Sequence, residues 1–135
     1  MERIKIPLVD LKREYIFLKT KIERQIKQCL KTHQWILGEK LKEFEEKIKK
    51  YLKVKYAIGV ASGTDALLLS LHALALKIKK EEFFSQEDEV ITTPLTFIAT
   101  AEAIVRSGAT PVFVDIDEDT FNISPQAIKK AISKN

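Results

Sequence analysis

Tyr56-Ala57-Ile58-Gly59-Val60-Ala61-Ser62-Gly63-Thr64-Asp65-Ala66-Leu67-Leu68-Leu69-Ser70-Leu71-His72-Ala73-Leu74-Ala75-Leu76 is the stretch on which the fold turns. Its first six residues are a short, mostly apolar run, as expected of a buried parallel strand. Ser62-Gly63-Thr64 reads as the turn. Ala66 to Leu76 is apolar nearly all round, which predicts a helix largely buried in the interior. A buried strand that feeds a buried helix through a tight turn points to an α/β protein.

The pattern repeats downstream. A charged connection, Lys77 to Asp88, leads to a second strand at Glu89-Val90-Ile91-Thr92, which Pro94 ends. A helix is predicted from about Phe97 to Ser107, stopped by Gly108. Pro111-Val112-Phe113-Val114-Asp115 reads as a third strand, and Ser124 caps a last helix with Pro125 at its first position. Strands alternating with helices predict a mostly parallel sheet with right-handed crossovers and helices on both faces. Upstream, Ile4 to Asp10 reads as an extended arm. Leu11, Tyr15, Leu18, Ile22, Ile26 and Leu30 form one helical stripe that ends near Thr32 to Gly38. A second amphipathic helix carries Leu41, Phe44, Ile48 and Leu52. The expected organisation is a single partial domain over 1–135, with arm and helices over 1–55 and the α/β part over 56–135.

In open α/β sheets, ligands sit at the carboxyl ends of the strands. That rule selects Ser62 to Asp65, Thr93 to Phe97 and Asp115 to Asp119. The first turn of a helix leaves its N–H groups without internal acceptors and carries partial positive charge, so a phosphate suits the start of the helix after Ser62. Gly63 lets the backbone approach closely, and the Thr64 hydroxyl adds a donor. The plainer alternative is a capping box, since Ser62 and Asp65 have its spacing. The two are compatible if the Asp65 carboxylate turns away from the anion. Phe97 could stack on a flat heteroaromatic ring or be ordinary core. Neither a P-loop nor a Gly-x-Gly-x-x-Gly follows any strand.

The 135 residues are 45% hydrophobic and 31% charged, as in globular proteins, and no apolar run reaches the ~20 residues that span a bilayer. The net charge of +4 invites a nucleic-acid reading. Lysines interleaved with glutamates, as in Lys42-Glu43 and Lys79-Lys80-Glu81-Glu82, argue for solvated helix faces instead. Neither nucleic acid nor a membrane is therefore an expected partner. The start of the chain lacks a signal-peptide pattern, which makes a cytoplasmic location the expectation. Cys29, the single cysteine, reads as a packed thiol. No metal-ligand set is read.

At these residues the chain resembles the DegT/DnrJ/EryC1/StrS family of sugar aminotransferases. The matching stretches, in the family's order, are Ile6 to Leu11, Trp35 to Gly38, Phe44-Glu45-Glu46, Ser62 to Leu67, Asp88 to Pro94, Thr96 to Thr100 and Gly108 to Asp117. The resemblance implies the amino-terminal part of the large domain of the type I fold of pyridoxal-phosphate enzymes. It assigns Gly63, Thr64 and Asp65 to the loop around the cofactor phosphate and Phe97 to stacking on the pyridine ring. The cofactor would be pyridoxal 5'-phosphate. The substrates would be a nucleotide-linked keto-sugar and an amino-acid donor, glutamate in this family, and the complete enzyme would be a homodimer.

Two departures follow. The Lys77–Asp88 connection is longer than the family's short turn, with Phe83 and Phe84 as its expected anchor. The Schiff-base lysine, the aspartate on the pyridine nitrogen and a second phosphate-binding serine would all come after Asn135. No catalytic residue is therefore assigned within the chain, which alone is expected to be silent. The alternatives are a sugar dehydratase of the same family and a non-catalytic binding or regulatory protein that keeps the fold.

Overall fold

Helix α1 (Leu11–Thr32) begins where Asp10 accepts the Arg13 N–H at 2.9 Å and ends where His33 turns left-handed and donates its N–H to Cys29. The computed structural model describes residues 6–132. The expected arm over 4–10 starts outside that range, and over 6–10 it is exposed and in neither helix nor strand. Helix α2 (Glu39–Leu52) follows a short loop, and its surface carries the pairs Lys42–Glu39 at 3.0 Å and Lys40–Glu43 at 3.1 Å. Such exposed pairs add little stability. Glu45 also accepts the Gly59 N–H at 2.8 Å, tying the following segment to α2. Cys29 is half-buried.

Two compact units divide after Gly59, four residues past the boundary read from the sequence. The second unit holds α3 (Gly63–Lys79), β1 (Glu89–Thr92), α4 (Ile98–Arg106), β2 (Thr110–Phe113) and α5 (Pro125–Ile132). Strands β1 and β2 pair in parallel, with Glu89 opposite Thr110 and Thr92 opposite Phe113. Helix α4 is the crossover between them, and it packs on α3 and on both strands. The core at this junction is made of Ala75, Ala103, Ile104 and Ala109, with Ser107 buried and its hydroxyl donated to the Ile104 carbonyl at 2.7 Å. Small side chains there suit close approach of backbones.

Three expectations need correction. Tyr56 to Ala61 is not a buried strand: it joins no ladder among the described residues, and Tyr56 and Ile58 are exposed. A strand exists only through its neighbours, and among the described residues this segment pairs with none. The sheet accordingly has two strands, not three. Helix α3 is not largely buried either, since only Ala75 is fully buried, Leu68 and Leu71 are half-buried, and Leu67, Leu69, Leu74 and Leu76 stay exposed. Among the described residues α4 is the element packed extensively on it. One flank cannot cover a helix that is apolar all round.

The long connection before β1 is clipped at several points. Phe84 donates its N–H to the Ser107 carbonyl at 2.8 Å, and the Phe83 ring meets His72 edge-on at 4.7 Å. Asp88 accepts the Ser85 N–H at 2.7 Å, the Ser85 hydroxyl at 2.9 Å and the Lys79 ammonium. The ammonium first, and then the two Ser85 donors, hold the Asp88 carboxyl down at about 2, against an ordinary 3.8. A carboxyl depressed in the folded state adds stability above its unfolded value and loses it as pH falls through the folded one. Acid titration followed by circular dichroism should show this contribution fading from about pH 4 to pH 2, with Asp88→Asn less stable at neutral pH and flatter below about pH 4. Matching acid limbs in the two proteins would refute the clip.

Candidate functional site

The turn after Ala61 is built by a reciprocal cap. Ser62 has extended backbone angles, accepts the Asp65 N–H at 3.1 Å and donates its hydroxyl to the Asp65 carboxylate at 2.8 Å. The carboxylate is thus engaged by the cap. The Ser62 carbonyl accepts the Ala66 N–H at 3.0 Å, which starts the helical ladder. The N–H groups of Gly63 and Thr64, in the first turn, have no acceptor within the helix. They lie where the α3 dipole concentrates positive charge.

Gly63 has an informative feature. A Cβ there would meet nothing within 4 Å beyond its chain neighbours and the backbone of its own helix turn. Packing in this chain therefore does not require glycine there, and the open space is what an anion needs to reach the backbone. Gly63 is exposed, while Thr64 and Asp65 are half-covered.

Phe97 is the N-cap residue of α4 and is 78% exposed. It is not core, so its ring faces are free to stack. Gly63, Thr64 and Asp65 form one continuous turn, and Phe97 opens the helix packed against the one that follows that turn. The hydroxyls of Thr96 and Thr100 lie 3.0 Å apart over the start of α4, and Thr93 Oγ1 accepts the Leu95 N–H at 3.2 Å. This hydroxyl pair was not singled out from the sequence, although its spacing of four on a helix was visible. Among the described residues no cluster of His, Cys, Asp or Glu could hold a metal ion.

In the third segment, Asp115 Oδ1 accepts the Ile116 N–H at 2.8 Å, and Asp117 Oδ1 accepts both the N–H and the hydroxyl of Thr120 at 3.0 Å. Those Thr120 donors, the N–H first, lower the Asp117 carboxyl below its ordinary value. Both aspartates shape the loop, which an antiparallel bridge between Ile116 and Ile123 closes.

The profile of the DegT/DnrJ/EryC1/StrS aminotransferase family matches residues 17–135. The chain belongs to this family. It is 40% identical over 129 residues to a pleiotropic regulatory protein of Geobacillus stearothermophilus, covering 96% of this chain and 32% of that one. It is 39% identical to the UDP-2-acetamido-2-deoxy-3-oxo-D-glucuronate aminotransferase of Pseudomonas aeruginosa, covering 95% and 33%. Two solved structures share the fold. One is Streptomyces venezuelae DesV in complex with a ketimine intermediate (TM-score 0.84, 35% identity, 94% of this chain and 32% of that one). The other is NtdA of Bacillus subtilis with bound cofactor PMP (TM-score 0.78, 32% identity, 97% and 28%). The family member therefore has the α/β fold of these aminotransferases and spans about a third of the length of the relatives it matches.

Proposed function

We propose that this chain is the part of a pyridoxal-phosphate aminotransferase that receives the cofactor's phosphate and one face of its ring. The open turn at Gly63 carries the reading: two unsatisfied N–H groups, a helix dipole and no side chain in the way. Gly63 and Thr64 bind the phosphate through backbone N–H groups, and the Thr64 hydroxyl donates a further bond. Asp65 holds the turn through Ser62 and keeps its charge off the anion. Phe97 stacks on the pyridine ring and fixes its tilt. When bound, the cofactor supplies the electron sink for amino-group transfer.

The whole protein moves an amino group from an amino-acid donor, glutamate, to a keto group on a nucleotide-linked sugar. It acts as a homodimer in the cytoplasm. The Pseudomonas relative, named for a UDP-linked 3-oxo sugar, supports the substrate class. The lysine that forms the Schiff base is not among these residues, so the chain alone does not transaminate.

The test is an amino-transfer assay with glutamate and a nucleotide keto-sugar. The chain alone should yield no amino-sugar. Adding a polypeptide that carries the remaining two-thirds of the Pseudomonas relative should restore product. Turnover by the chain alone would overturn the assignment of an absent nucleophile. The Geobacillus relative, named as a regulatory protein, favours a second reading in which the fold binds without catalysis. That reading expects cofactor binding and no turnover under any complementation.

A further inference from the structure

Helix α1 carries seven cations and two carboxylates, a net +5, which exceeds the +4 of the entire chain. The interleaving of lysine with glutamate that marks α2 does not hold here. At 3.6 residues per turn, Arg13, Arg24, Lys27 and Lys31 fall within an arc of about 60°, opposite the stripe of Leu11, Leu18, Ile22 and Ile26. All four are exposed. Among the described residues the one ion pair on the helix is Lys19–Glu23 at 4.0 Å, and Glu23 is the single carboxylate beside Lys19, Arg24, Lys27 and Lys31 in one shallow depression. Thr20 and Gln28 complete the lining of that depression, which therefore carries four cations against one carboxylate.

A solvated face would be cationic and otherwise polar. This one is bordered by Ile16, 65% exposed, and Phe17, 83% exposed, neither of which belongs to the opposite apolar stripe. Cations in a row with an adjoining aliphatic and aromatic pair match an anionic bilayer surface: the charges meet headgroup phosphates, and the apolar pair enters the acyl boundary. The helix is about 33 Å long, which suits lateral contact with many mobile headgroups. We propose that the cationic face of α1 is a peripheral docking surface for anionic phospholipid bilayers. It departs from the sequence-based expectation of no membrane partner. It is compatible with the finding that no described helix is long and apolar enough to cross a membrane, and it does not rest on the cofactor site.

Cosedimentation of the chain with vesicles tests it. One set is phosphatidylcholine, and the other has about a quarter of that lipid replaced by phosphatidylglycerol. Binding should favour the anionic set by roughly tenfold or more at about 0.1 M salt and weaken at about 0.5 M. The triple variant Arg24→Glu, Lys27→Glu, Lys31→Glu should lose that binding by roughly a hundredfold, at about fivefold per cation, with its helical circular dichroism intact. Phe17→Ser should reduce binding severalfold and leave its salt dependence in place. Equal binding to both vesicle sets would assign attachment to the other apolar surfaces and overturn the proposal. So would unchanged binding by the triple variant, or tighter retention on heparin than on anionic vesicles.

Discussion

Gly63→Val should weaken binding of pyridoxamine phosphate by at least about a hundredfold while shifting folding stability by less than about 1 kcal/mol. The two effects separate because the space beside Gly63 holds nothing within 4 Å beyond its chain neighbours and its own helix backbone. A valine side chain enters that space without striking the fold, and at the first position of α3 it sits where helix propensity matters little. It does occupy the approach to the N–H groups of Gly63 and Thr64. Hydrogen bonds to a charged phosphate contribute about 1.5–3 kcal/mol each, so losing two gives at least the stated loss. Pyridoxamine phosphate is the probe because it has no aldehyde to react with the many surface lysines. Titration calorimetry reads the affinity and thermal unfolding reads the fold. Undiminished affinity in the variant would place the phosphate elsewhere. A collapse of both together would mean that the turn is structural only.

Gly108→Ala should do the reverse and destabilise the second unit by about 3 kcal/mol or more, lowering the melting temperature by more than roughly 10 °C. Gly108 has φ +93°, a conformation that residues with a side chain rarely adopt. Its Cβ would also run into the carbonyl oxygen of Phe84, with the Phe84 carbonyl carbon only 3.0 Å away. That backbone is pinned by the Phe84 N–H bond to Ser107, so it cannot yield without opening the clip. The substitution therefore strains the turn and loosens the start of β1 together. Paired melts of the wild-type and Gly108→Ala chains measure it, and a change below about 1 kcal/mol would show that the connection gives way freely. The contrast between the two glycines is physical: one faces open space and the other faces a fixed backbone.

Local chemistry was legible in the sequence. Ser62 with Asp65, Ser124 with Pro125, and Gly108 after Arg106 mark helix ends through groups a few residues apart, and the structure places α3, α5 and the end of α4 there. The parallel pairing of β1 with β2 followed from strand, helix and strand in order. The turn at Gly63 could be named because its unsatisfied N–H groups are a property of any helix start. What covers each surface could not be read in this way. The apolar run of α3 showed only that the helix prefers cover, and Tyr56 to Ala61 showed only that it could pair. Burial and strand pairing belong to two partners at once, and only the tertiary structure shows that here α4 lies on one flank of α3 while, among the described residues, Tyr56 to Ala61 joins no strand ladder. Phe97 is the same case: its aromatic ring was evident from the sequence, but its exposure depends on which residues pack around it.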